Sequence, residues 1–230
     1  EKAFEAKYPK IDLVPFDINS TQQIARLKSE AAAKVSNADV AYISDLPVVY
    51  EDLVKTGILS RYVPAQFASR VPADLQQPLL ANRLSTKVLM YSEQAYPNGS
   101  PVKNLWDLTR PEWKGRVISV DPTVRGDYLD LFTEIVLRSD DMAKAYQQAF
   151  GKPIALQGRE TAGEKWLKDW LANGPVFVAN TDAAADAIGK LGQTNPPIGF
   201  ATYSDRRDNK ERGRALQVAK GLQPATGILF

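Results

Sequence analysis

Four short polar stretches of this 230-residue chain carry residue types suited to gripping a small charged molecule. Ser44 and Asp45 follow Ile43, and Thr123, Arg125, Gly126 and Asp127 follow Val120. Asn180, Thr181 and Asp182 follow Ala179, and Thr202, Tyr203, Ser204 and Asp205 follow Ala201. In each an apolar run gives way to a polar turn, and the first three turns lead into a helix. Helix starts present backbone N–H groups that attract anions, and open α/β sheets bind ligands at the carboxyl ends of their strands. Arg125 offers a guanidinium able to hold a carboxylate or phosphate through two parallel hydrogen bonds, and Gly126 lets the backbone approach closely. Asp45, Thr181 and Asp182 have a second reading as ordinary helix caps. No two acids stand out as a pair for acid–base work.

The elements that must carry these stretches alternate apolar runs with amphipathic helices, the pattern of an α/β fold. Strands are predicted at 11–16, 39–43, 87–91, 117–120, 175–179, 198–201 and 215–219. A helix ends at Tyr8 before Pro9. The next, capped by Ser20 or Thr21, places Ile24, Leu27, Ala31 and Val35 on one face, and a third runs through Tyr50 and Leu53 to Gly57. Asn104–Leu108 is a short helix. Longer helices follow Gly126 and cover 140–150, 163–172 and 183–191. Trp166, Leu167, Trp170 and Leu171 fall on the buried side of the 163–172 helix, where two Trp four residues apart read as core. The turn cluster Tyr96–Pro101 marks the neighbourhood of a lobe boundary, giving 1–88 as a first, partial lobe, 89–222 as a second, and 223–230 as the start of a return to the first.

Composition removes several classes of function. The chain has no Cys and no His, which excludes disulfides, thiolate metal sites, thiol nucleophiles and every Ser-His-Asp arrangement. No phosphate loop and no dinucleotide fingerprint occurs. Net charge is only +2, and the densest basic stretch, Arg206 to Arg214, is interrupted by Asp208 and Glu211, so it reads as a solvated surface and not as a nucleic-acid stripe. No apolar run approaches the roughly 20 residues that span a bilayer.

Three stretches resemble the ferric-iron-binding branch of the periplasmic solute-binding proteins. The first is Phe4–Pro9 with Ser20, Thr21, Arg26, Leu27 and Glu30. The second is Ala38–Val40 with Ser44, Asp45 and Gly57–Leu59. The third and most specific is Asn104–Leu108 with Arg110–Val117, then Asp121, Pro122 and Gly126. The resemblance implies a type II periplasmic-binding-protein-like α/β clamp of two lobes joined by crossover hinge strands, one at Lys87–Ser92 and the other at Gly227–Phe230. It implies the solute-binding component of an ABC importer: no catalysis, export to the periplasm or outside the cell, and docking of a monomer on an inner-membrane permease. On that reading the chain is truncated at both ends, since it opens on Glu1 inside a helix and stops inside a strand.

The resemblance also implies residue roles. Thr123 to Tyr128 matches a helix start that holds a phosphate or carbonate beside the metal, so Arg125, Gly126 and Asp127 inherit that part. Adjacent tyrosines bind iron in the family. Here one remains, Tyr203, with Asp45 as the first-lobe carboxylate. Fe3+ is a hard cation that takes oxygen ligands, so Tyr203 and Asp45 make one candidate metal pair. An organic or phosphorylated anion gripped by Arg125 is the other expectation, with a polyamine third. A ligand-sensing domain of the same fold and an enzyme on a two-lobed scaffold are the alternatives in function.

Overall fold

The computed structural model describes residues 1–82, 84–158 and 160–225. The chain divides into two compact units, Glu1–Tyr62 and Val63–Phe230.

The first unit is helical. It holds α1 (Lys2–Lys7), α2 (Ser20–Ala32) and α3 (Leu46–Val49), the last continued by a π-helical turn over Tyr50–Val54. Ile24 of α2 is buried, as are Val49 and Leu53. The cap of α2 is Asn19, one residue before the predicted Ser20: its side chain accepts from Gln22 N at 2.9 Å, and the Gln22 side chain reaches back to Asn19 N. Val35 lies beyond the helix end.

The strands predicted at 11–16 and 39–43 do not form, and Val40 and Tyr42 lie exposed instead of buried. A strand exists only where a neighbour supplies ladder hydrogen bonds, and among the described residues nothing pairs with either segment.

The second unit carries a five-stranded mixed sheet. A short helix, α4 (Ala65–Ala68), precedes β1 (Lys87–Ser92), β2 (Val117–Val120), α5 (Gly126–Leu137), α6 (Ser139–Phe150) and α7 (Ala162–Ala172). Then come β3 (Val176–Val178), α8 (Thr181–Gly189), β4 (Ile198–Thr202) and β5 (Leu216–Val218). Strand order is β3-β2-β4-β1-β5, with β2 parallel to β3 and β4, and β1 antiparallel to β4 and β5. The β1–β4 register sets Lys87 opposite Thr202. The amino end of β1 therefore meets the carboxyl ends of β2, β3 and β4 at one edge. Gly199 is required in β4, because a Cβ there would sit 2.2 Å from the Ile118 carbonyl oxygen on β2.

Aromatic residues hold the helices together. Trp166 and Trp170, one turn apart on α7, stack with ring centres 5.6 Å apart and planes 4° from parallel. Phe132 of α5 stacks on Trp170 at 4.8 Å and meets Phe200 of β4 edge-on at 5.6 Å. The indole N–H of Trp106 donates to Met142 O and that of Trp166 to Leu105 O, both at 2.9 Å, which ties the 3-10 helix Leu105–Thr109 to α6 and α7. Leu171, predicted to be buried, is 48% exposed, because the buried face of α7 follows Ala162, Trp166 and Trp170. The return crossover expected at Gly227–Phe230 lies outside the described residues.

Candidate functional site

Three strand ends, two of them followed by α-helices and one by a 3-10 helix, deliver polar residues to the same edge of the sheet. After β2 the chain makes a tight turn in which Asp121 Oδ1 accepts from Thr123 N at 2.8 Å and from Thr123 Oγ1 at 2.7 Å. Those two bonds hold the Asp121 carboxyl below its ordinary range. The Thr123 hydroxyl is thus engaged in shaping the loop. Arg125 sits at the cap position of α5 with no side-chain cap bond, and its guanidinium turns onto Asp127 in the first turn of that helix. Nε lies 3.2 Å from Oδ1 and Nη2 lies 2.8 Å from Oδ2.

Beneath this pair lies a buried charge absent from the sequence-based candidates. Lys87, 2% exposed, places Nζ 2.9 Å from Asp127 Oδ2 and donates to Thr202 Oγ1 at 2.9 Å. The ammonium also stands 4.7 Å from the centre of the Tyr128 ring. Burial lowers the Lys87 pKa, and the Asp127 carboxylate opposes that shift. Burial pushes the Asp127 carboxyl up, yet Lys87 and Arg125 together outweigh it and hold the group below its usual range. Tyr128 donates to Phe200 O at 3.2 Å, and burial drives its hydroxyl far above the usual phenol range against a hydrogen bond with Thr181.

After β3, Asn180 caps α8 by accepting from Ala183 N at 2.9 Å. The helix thus starts at Thr181, two residues before the predicted start. Asp182 faces Arg212 at 3.0 Å on an exposed part of the surface. After β4, Thr202 and Asp205 form a reciprocal cap on the 3-10 helix Tyr203–Asp208, with Thr202 N donating to Asp205 Oδ2 at 2.9 Å. Burial raises the Asp205 carboxyl, and the Thr202 N–H opposes it. Tyr203 is 41% exposed, with the Arg206 guanidinium 4.0 Å over its ring and in contact with its hydroxyl.

Of the sequence-predicted residues, Thr123, Arg125, Gly126, Asp127, Thr181, Asp182 and Tyr203 thus come from the three turns at this edge. Ser44 and Asp45 belong to the Glu1–Tyr62 unit. There Ser44 Oγ lies 2.6 Å from Ser20 Oγ. Asp45 precedes α3 in a left-handed conformation, φ 68° and ψ 48°, without the capping bond expected of it. A left-handed aspartate costs conformational energy that surrounding contacts must offset. Among the described residues no group of three or more His, Cys, Asp or Glu is placed to hold a metal ion, and no helix is long and apolar enough to cross a membrane.

No protein-family model and no curated protein sequence matches the chain. Solved structures do. Iron-bound HitA from Pseudomonas aeruginosa superposes with a TM-score of 0.63 at 22% identity, over 94% of this chain. The fold is that of a periplasmic substrate-binding protein. The chain spans 63% of the HitA length. It has the same fold as AfuA from Actinobacillus pleuropneumoniae, solved with fructose-6-phosphate bound, with a TM-score of 0.61 at 16% identity over 100% of this chain and 68% of that one. The substrate-binding protein of an ABC transporter from Agrobacterium tumefaciens gives 0.61 at 18% identity, over 88% of this chain and 55% of that one.

Proposed function

We propose that this chain is part of the solute-binding component of an ABC importer, exported from the cytoplasm, and that it captures an anionic solute bearing a phosphate or carboxylate without transforming it. The supporting observation is the convergence of Arg125 with the starts of α5 and α8 at one sheet edge. First-turn N–H groups have no acceptor inside their own helix, and the helix dipole favours negative charge there. Gly126, the first residue of α5, places no side chain over that backbone. The AfuA structure, with its sugar phosphate, supports a ligand of this class.

The test is a thermal-shift series on the chain with inorganic phosphate, glucose 6-phosphate, fructose 6-phosphate, a phosphonate, amino acids, a polyamine and ferric citrate. A ligand that binds only the native state raises the melting temperature by mass action. A rise with the phosphate compounds is expected, and no rise with any anion overturns the reading.

Ferric iron with a synergistic phosphate or carbonate is the second reading. It is favoured by exposed Tyr203 at the end of β4, and by HitA and the Trichodesmium protein IdiA (FutA), solved with iron and citrate. Iron bound to Tyr203 produces a visible phenolate charge-transfer band that Tyr203→Phe removes. The Arg206 guanidinium over that ring works against a trivalent cation, so the anion reading comes first.

A further inference from the structure

Charged side chains are rarely withdrawn from water unless paired. Lys87 and Asp127 are each 2% exposed, and their ion pair is 2.9 Å long. Asp127 is simultaneously held by Arg125, whose side chain is 30% exposed. Two cations therefore share one carboxylate, and of the three groups Arg125 alone reaches the surface. Thr202 Oγ1 at 2.9 Å and the Tyr128 ring at 4.7 Å fix the ammonium from the other sides. Asp205 adds a more distant attraction.

We infer that Lys87 is a positioning residue for Arg125, acting through Asp127. With Lys87 present, the Asp127 charge is matched from beneath, and the carboxylate serves as a fixed bracket for the Nε and Nη2 edge of the guanidinium. The triad as a whole keeps one positive charge, carried at its solvent-facing end. Without Lys87, Arg125 becomes the sole close counter-charge of a buried carboxylate and is drawn onto it. The purpose of this device rests on the anion reading above, but its geometry does not.

The test uses 15N NMR of the arginine Nε–Hε groups in the full chain, with the Arg125 signal assigned by its loss in Arg125→Ala. Lys87→Met is expected to shift that signal and change its exchange with solvent, while Lys87→Arg, which keeps a cation, largely restores it. An Arg125 signal unchanged in Lys87→Met overturns the proposal. Should Lys87→Met fail to fold by circular dichroism, Lys87→Gln, which removes the charge but keeps a hydrogen-bond donor, carries the same expectation and the same refutation.

A second arm titrates glucose 6-phosphate. Lys87→Met is expected to weaken binding about tenfold, roughly one charge-assisted hydrogen bond, and to add nothing once Arg125 is Ala. An equal loss in both backgrounds overturns the proposal, because Lys87 then acts independently of Arg125. If the wild type binds neither inorganic phosphate nor glucose 6-phosphate while the Arg125 signal still responds to Lys87→Met, the anion reading falls and the positioning role stands.

Discussion

Thr202 stands directly across the sheet from Lys87, and the antiparallel register of β1 on β4 puts the threonine hydroxyl 2.9 Å from the lysine ammonium. The two residues are 115 positions apart in the chain. Strand pairing alone thus builds the floor of the charged cluster, and α5 closes it by bringing Asp127 over the same ammonium.

The acid limb of stability is expected to report on Asp127. Lys87 and Arg125 hold its carboxyl below the unfolded value, so the unfolded chain takes up that proton first as pH falls. The stabilisation is fully present above the unfolded aspartate pKa of about 4 and is lost as pH drops through the lower folded value. Nearby Asp130 and Asp205 shift the opposite way, upward by burial, so the wild-type curve alone does not isolate Asp127. The measurement is urea unfolding of wild type and Asp127→Asn from pH 7 to pH 2. The gap between them should narrow as pH falls below about 4 and on through the lower folded value of Asp127. A gap independent of pH refutes the assignment.

Trp166 is fully buried, stacked on Trp170 and hydrogen-bonded to Leu105 O at 2.9 Å. Trp166→Ala removes a large apolar volume and leaves that carbonyl without its donor. A loss of about 3–5 kcal/mol is expected, the range for large-to-small aromatic changes in cores. Denaturant unfolding checks it, and a loss under about 1 kcal/mol contradicts the packing described.

Much of the second unit was legible because its signals are local. The short helix after Lys103, the helical spacing of Trp166 and Trp170, and the apolar run Val117–Val120 each depend on neighbours in sequence, and each forms as expected, with Asn104 capping the short helix instead of opening it. The first unit was less so. The segments 11–16 and 39–43 have strand-like composition, but pairing is a non-local property and neither finds a ladder among the described residues. The turn residues Arg125, Asp127 and Tyr203 could be nominated from their places after apolar runs. Lys87 could not. At the start of a strand a lysine reads as a solvated charge, and only register shows that its ammonium points at Thr202 and Asp127.

Gly199 links the sheet to the cluster. A Cβ at this position meets Ile118 O at 2.2 Å and Ile118 Cβ at 2.9 Å, so Gly199→Ala forces β2 and β4 apart. Overpacking of this kind costs typically about 1–3 kcal/mol, and here the obstacle is backbone with little freedom to yield. Because β4 runs on to Thr202, the Arg125 Nε–Hε signal should move as well. Stability unchanged within about 0.5 kcal/mol by denaturant titration contradicts the close approach of β2 and β4 at Gly199.

Arg125 provides the most direct test of ligand recognition. Its guanidinium is already oriented by Asp127 at 2.8 Å, so little side-chain entropy is lost when an anion arrives. Arg125→Ala is expected to weaken glucose 6-phosphate binding by about 1.5–3 kcal/mol, the worth of a hydrogen bond to a charged group. Arg125→Lys should recover only part of that, since a point charge lacks the planar two-pronged geometry. Folding stability should change little by comparison, because Lys87 remains to compensate Asp127. Calorimetric titration of the three proteins decides the matter. Equal affinity in wild type and Arg125→Ala removes Arg125 from the site, whereas a loss in Arg125→Ala that Arg125→Lys fully repairs reduces its role to charge alone.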